Sequence, residues 1–141
     1  MSRFRKTGRG ARREEGQSLV EFALVLPVLV LIVLAILKFG ILFENYLTLT
    51  DAARAGARTL SIGRGTTNAC TPADQQTIAS AAGLGLTTAN ISHSFSGTDS
   101  CTVLTSGNAV TLTVSYPTSV SIMGVTFYSG NLTASATERV E

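Results

Sequence analysis

The sequence predicts an α+β protein: a long N-terminal membrane-spanning helix, then a small antiparallel sheet domain with one short helix. Three observations predict this. Residues 22–37 are sixteen consecutive uncharged residues, FALVLPVLVLIVLAIL, with no polar face of the kind a soluble helix keeps. From 41 to 62 no proline or glycine pair interrupts a run of good helix formers. Beyond residue 65 the apolar period changes to two, as in half-buried strands.

Charge is divided unequally along the 141 residues. Residues 1–16 carry Arg3, Arg5, Lys6, Arg9, Arg12 and Arg13 against Glu14 and Glu15, a balance of +4, whereas residues 17–141 carry −2. The small positive total therefore belongs to the leader. A nucleic-acid-binding domain would spread its basic residues over a folded face, so no nucleic-acid partner is expected. Charged residues are only 14% of the chain and hydrophobic ones 45%, which excludes a disordered polymer. The length allows one modest domain plus an anchor, and no large multilayered enzyme.

The apolar run is long enough to cross a bilayer. Residues 17–43 hold only Glu21 and Lys38 as charges, and a span needs roughly 20 mostly apolar residues. The span is placed at about 19–43. The basic leader precedes it, so the positive-inside bias puts the N-terminus in the cytoplasm and residues 44–141 outside the cytoplasmic membrane. A cleaved secretory signal would have a shorter apolar core and small residues at its cut site; here Phe39-Gly-Ile-Leu-Phe43 follows instead. Arg12-Arg13 is a weak match to a twin-arginine signal, and Glu14-Glu15 directly after it argues against one.

Glu21 is out of place at the start of an apolar helix, where an intramembrane carboxylate is costly. One reading has it snorkel to the cytoplasmic interface. The other takes in its surroundings: a basic leader, Gly16, then Gln17-Ser-Leu-Val-Glu21. This resembles the processing site of type IV prepilins, in which a membrane peptidase cuts after a glycine and a glutamate stands fifth in the mature chain. Cleavage would leave an α-ammonium at Gln17, and Glu21 of a neighbouring subunit could pair with it and set register. Pairing would offset the cost of burying both charges.

With GQSLVEFALVLPVL, Phe39-Gly40 and DAARAGAR at 51–58, the chain resembles the TadE-like family, minor pilins or pseudopilins of the tight-adherence (Flp-type) pilus. The resemblance is strong over residues 12–62 and looser in VTLTVSY (110–116) and LTASATERVE (132–141). It implies a type IV pilin-like fold, processing by prepilin peptidase at Gly16/Gln17, and subunit register through Glu21. The implied partners are other minor pilins, platform proteins and the secretion ATPase, with a role in pilus assembly, adhesion or secretion. Many pilins begin with an aromatic residue where this chain has Gln17. The alternative function is an uncleaved, single-pass, signal-anchored domain that binds a surface ligand.

The helix is expected from Gln17 to Ile62, about 69 Å at 1.5 Å per residue, with Gly63-Arg-Gly65 as its terminator. Pro27 removes one backbone hydrogen bond, which membrane helices tolerate. Outside the span, residues 44–62 carry a polar-leaning stripe (Leu47, Asp51, Arg54, Arg58) and a small-residue stripe around Ala52, Ala53, Gly56 and Ala57. Small-xxx-small pairs let helices approach closely. Two uses stand for this helix-packing stripe: contact with other pilus subunits, or packing on the chain's own outer domain.

The outer domain is expected over 66–141. Thr71-Pro72 reads as the start of a helix through Leu84, with Thr71 as N-cap. Strands are expected at Ile91–Ser96, Thr102–Thr105, Val110–Tyr116 (ended by Pro117) and Leu132–Thr137, with Ser106-Gly-Asn108 as a hairpin turn. Val120–Tyr128 is read as a loop or short strand covering the core. A core this small is marginal alone. Cys70 and Cys101, both on the outer side, predict a disulfide in an oxidising compartment; free thiols or an intermolecular bridge are the alternatives. His93 shares strand parity with Ile91 and Phe95 and reads as a packing residue. One histidine and two distant cysteines predict no metal centre. No catalytic constellation or phosphate loop is present, so no enzyme activity, cofactor or small-molecule substrate is expected.

Overall fold

The computed structural model describes residues 11–141, with side chains from Gly16 onward; residues 1–10 and the side chains of 11–15, most of the expected leader, lie outside the described residues. The order of elements is a helix α1 (Ala11–Ser61), a helix α2 (Cys70–Ser80), short 3-10 turns at Ala82–Leu84 and Thr88–Asn90, and strands β1 (Ile91–Phe95), β2 (Ala109–Ile122) and β3 (Val125–Arg139). The architecture is α+β, with a three-stranded antiparallel sheet in the order β1-β2-β3. The chain divides into two compact units, Met1–Lys38 and Phe39–Glu141.

The first unit contains the N-terminal part of α1, which runs on through Pro27. Between Gly16 and Lys38 no residue is buried, and Leu19, Phe22, Leu24, Leu29 and Ile36 are all more than half exposed. An apolar surface of this extent is not left in water by a soluble protein.

In the second unit, Leu49, Ala52, Ala53, Gly56, Ala57 and Leu60 form the buried face of α1, at the i, i+3, i+4 spacing of a core stripe. They meet Cys70, Ala73 and Thr77 of α2, Val110, Leu112 and Val114 of β2 and Ala134 of β3, all in one core. Both helices therefore lie on the even-numbered face of β2. On its other face, Thr111 and Thr113 are half-buried, and Thr111 and Thr137 share a hydroxyl hydrogen bond of 2.8 Å across the strands.

Helix α1 ends at Ser61, where the N–H groups of Ile62 and Gly63 donate to the carbonyls of Arg58 and Leu60. Gly63 is required by close approach: a Cβ there would stand 2.6 Å from Ala69 Cβ. The C-terminus is tied back, with Val140 exchanging hydrogen bonds with Gly107 and Asn108, and Glu141 N–H donating to the Ser61 carbonyl.

The domain over 66–141 departs from expectation in five places. Helix α2 ends at Ser80, short of Leu84, and Ala82–Leu84 is a separate 3-10 turn. Helix α2 starts at Cys70, its N-cap is Ala69 and it has no side-chain cap. Thr71 is already inside the helix, and it is Asn68 Oδ1 that accepts the Cys70 N–H, at 3.0 Å. There is no strand at Thr102–Thr105: that segment has only an isolated bridge between Ser100 and Val103, and β1 pairs directly with β2.

Pro117 does not end its strand. β2 continues to Ile122 and pairs with β3 throughout. The carbonyls of Ala109 and Ser115 accept from the β1 side, so odd-numbered residues of β2 turn their backbone polar groups that way. β1 stops opposite Val114. The missing N–H of Pro117 thus faces an open edge, where proline is tolerated.

Val120–Tyr128 does not cover the core. It is the end of the β2–β3 hairpin, turned by Met123 (φ 51°) and Gly124 (φ 84°), the positive-φ pair of a tight two-residue turn. Met123, Val125, Phe127 and Tyr128 are exposed.

Candidate functional site

Four places hold the residues that sequence reasoning singled out or missed. The first is the N-terminal segment. Gly16, Gln17 and Glu21 all lie on α1 and are exposed. Gln17 Nε2 donates a long 3.4 Å bond to Glu21 Oε1, as i,i+4 residues on one helix face can. A Cβ added at Gly16 would meet no heavy atom within 4 Å, so among the described residues no neighbour requires glycine there.

The second is the small-residue stripe. Ala52, Ala53 and Ala57 are fully buried, and Gly56 sits where α1, α2 and β2 converge. Its missing side chain leaves room for Thr77 Oγ1, and a Cβ there would also stand 2.9 Å from Leu112 Cδ1 and 3.3 Å from the Ala73 carbonyl. Of the two uses open for this stripe, the structure has the intrachain one: these residues pack on α2 and the sheet. The polar-leaning stripe stays exposed, with Arg54 and Asp51 paired at 3.5 Å across one turn. Such an exposed pair contributes little.

The third is the disulfide, Cys70–Cys101, which joins the start of α2 to the loop between β1 and β2. Beside it the Ala69 N–H donates to the Cys101 carbonyl at 2.7 Å. In the same loop the Asp99 carboxylate accepts the Thr105 N–H at 3.0 Å, and that backbone hydrogen bond holds its pKa below the ordinary carboxylate value. The fold brings His93 into this neighbourhood. A ring nitrogen of His93 and both sulfurs lie within 4.8 Å of one another. His93 Nε2 approaches Asp74 Oδ1 at 2.9 Å, both side chains mostly buried, yet neither atom has an aligned hydrogen bond. The ring also stacks on Phe95, with centroids 6.4 Å apart.

Distance along the chain was thus no bar to grouping one histidine with two cysteines. With the sulfurs bonded to each other they are not thiolate ligands, and in this state the set is not a metal site.

The fourth place is an apolar groove of about 380 Å³ between residues 39–42 of α1 and the β2–β3 hairpin, lined by Phe39, Leu42, Val120, Phe127, Tyr128 and Leu132. It continues along the helix past Phe43 and Tyr46. A β-bulge turns Phe127 to this side: Val120 pairs with Tyr128 and Ser121 with Thr126, so Phe127 is the extra residue. The alternation rule therefore could not place it. The signal available in sequence was the loss of strict alternation from Val120 to Tyr128.

Chemically, the described residues offer an exposed apolar helix, a carboxylate at its start, a braced small domain and an apolar groove, and nothing positive indicates catalysis. Helix α1 is long and apolar enough to cross a membrane, over a stretch none of which is buried. No curated protein and no solved structure matches the chain. The model of the TadE-like protein family matches residues 16–58, under a third of the chain. That stretch runs from the glycine ahead of the apolar run to the last turn of α1 and includes Glu21 and the small-residue stripe, and over it the chain is similar to that family.

Proposed function

We propose that this chain is a minor pilin, or pseudopilin, of a tight-adherence pilus. In this reading residues 1–16 are a leader removed by prepilin peptidase after Gly16, residues 19–43 anchor the subunit in the cytoplasmic membrane, and residues 66–141 form its extracytoplasmic domain. The apolar helix holds the subunit in the bilayer before assembly and packs among other pilins afterwards. Glu21 pairs with the new α-ammonium of a neighbour. The partners are prepilin peptidase, other minor pilins and the platform proteins of the pilus.

The observation that carries this reading is the coincidence of three features at one point: the TadE-like match begins at Gly16, a carboxylate follows at Glu21, and the stretch of α1 after it is apolar and unburied. An apolar helix needs a bilayer or other helices around it, and a subunit that moves from membrane to fibre has both in turn.

N-terminal sequencing and intact mass of the protein from the membrane fraction test the reading. The expected mature chain has 125 residues and begins at Gln17, the 141 residues less the sixteen through Gly16. An uncut N-terminus in cells that contain the peptidase refutes processing, and leaves an uncleaved signal-anchored surface domain as the reading.

A further inference from the structure

We propose that Cys70, Cys101 and His93 form a zinc site once the disulfide is reduced, so that a metal ion and the S–S bond are alternative braces at one place. The site lies wholly within the second unit and does not depend on how α1 is used.

Three observations carry it. The first is convergence of the ligand atoms. The two cysteine sulfurs and a ring nitrogen of His93 lie within 4.8 Å of one another. They come from the first residue of α2, the loop between β1 and β2, and the middle of β1. Two thiolates and an imidazole suit zinc, with Zn–S about 2.3 Å and Zn–N about 2.0–2.1 Å. On a tetrahedral ion this asks for about 3.8 Å between the sulfurs. The two Cα atoms stand 5.2 Å apart, so rotation about χ1 parts the sulfurs that far with the backbone in place. Water takes the fourth position from the side of Cys101, which is only half-buried.

The second is that the ligands are held by bonds other than S–S. The Ala69 N–H donates to the Cys101 carbonyl at 2.7 Å, and Asn68 Oδ1 accepts the Cys70 N–H at 3.0 Å. Around Cys101, Ser100 and Val103 exchange backbone hydrogen bonds of 2.8 and 3.2 Å. His93 is fixed by its strand, in register with Leu112. Breaking the S–S bond frees two side chains and leaves these backbones clipped together. Cys70 also opens α2, where an anion gains from the helix dipole.

The third is the partner of His93. Asp74 Oδ1 stands 2.9 Å from His93 Nε2, with the two side chains only 18% and 14% exposed. Both atoms are buried, yet neither has an aligned hydrogen bond, and buried polar atoms are normally bonded. A metal-ligating histidine donates its other ring N–H to a carboxylate or carbonyl. With zinc on Nδ1, Nε2–H turns to the Asp74 carboxylate, and Asp74 is a positioning residue.

The chemistry balances with a thiol as reductant. Two equivalents of RSH break the Cys70–Cys101 bond, two electrons and two protons pass to the cysteines, and the reductant leaves as RS–SR. Zinc binding then forms two Zn–S bonds and one Zn–N bond, and both thiol protons go to solvent.

The test uses the full chain in detergent, oxidised or reduced with a phosphine, which consumes one water and leaves as its oxide. Cobalt(II) is the spectroscopic probe and zinc the competitor. The reduced chain should bind one cobalt with a thiolate-to-cobalt charge-transfer band, and zinc should bleach it. The oxidised chain should show no band. Zinc should raise the Tm of the reduced chain above its value in chelator. Asp74→Asn should weaken binding about 10–100-fold while the band keeps its intensity, since both thiolates remain, and His93→Gln should weaken binding more. No band from the reduced chain and no rise in Tm, whether or not that chain is folded, overturns the site. An equal cobalt affinity of the oxidised chain places the ion elsewhere and overturns it too. Unchanged affinity in His93→Gln removes the ring as a ligand, and unchanged affinity in Asp74→Asn refutes its positioning role.

Discussion

Replacing Gly56 by alanine tests how the outer domain is joined. On an exposed helix this change is stabilising by about 0.8–1.0 kcal/mol, because alanine is the better helix former. Here the added methyl would overlap Thr77 Oγ1 and stand 2.9 Å from Leu112 Cδ1 and 3.3 Å from the Ala73 carbonyl. None of the three neighbours can give way freely. Thr77 is fully buried and its hydroxyl donates to the Ala73 carbonyl at 2.8 Å, Leu112 is fully buried, and the third is backbone. Overpacking a tight core costs about 1–3 kcal/mol; with three constrained neighbours the upper half of that range applies, and the propensity gain offsets about one. The expected net destabilisation is about 1–2 kcal/mol, a fall in Tm of about 4–16 °C for a domain of this size. Thermal unfolding of the full chain in detergent, disulfide intact, followed by near-UV circular dichroism of the tyrosines, measures it. Thr77→Ala removes the atom most severely overlapped, so the double variant should recover part of the loss, a coupling that independent sites lack. An unchanged or raised Tm for Gly56→Ala would refute the close approach of α1 to α2.

Four further outcomes are expected. Gly16→Ala should block processing without altering the Tm of the outer domain, since the added methyl meets nothing; normal cleavage on an immunoblot would remove Gly16 from its role. Glu21→Ala should still be cleaved but fail to enter pili, as read by fractionation of sheared fibres; normal incorporation would leave Glu21 as a snorkelling carboxylate. Reducing Cys70–Cys101, which closes a loop of 31 residues, should lower stability by about 3–4 kcal/mol through loop entropy; an unchanged unfolding midpoint in reductant would contradict that brace. Asp99 has a folded pKa below its free value of 3.8, chiefly through the Thr105 N–H. Its contribution is full above about that value and is lost as pH falls through the lower folded value. Asp99→Asn should flatten this acid limb in a Tm-against-pH series, and an identical acid limb would contradict it.

Legibility differed between the parts of the chain. The apolar helix and the carboxylate near its start at Glu21 were legible because they are local patterns: composition over some twenty residues decides whether a helix suits a bilayer. Strands β1, the first half of β2 and the last half of β3 were legible for the same reason: one face is buried, so side chains alternate. The hairpin tip was not. Pro117 reads as a strand end wherever both edges are paired, and only the shortness of β1 opens the edge that accepts it. The bulge at Phe127 breaks the alternation that would have placed the residue. Helix α2 starts two residues earlier than expected, with Asn68, outside the expected start, accepting the Cys70 N–H.

Sequence by itself determined the α+β class, a helix long and apolar enough to cross a membrane, and a resemblance to the TadE-like family, because those follow from periodicity, charge placement and motif spacing along a continuous stretch. Only the tertiary structure decided what the small-residue stripe touches, what His93 stands beside and where the apolar hairpin points. Each of those depends on contacts between segments far apart in the chain, and a stripe of alanines carries no mark of which surface will cover it.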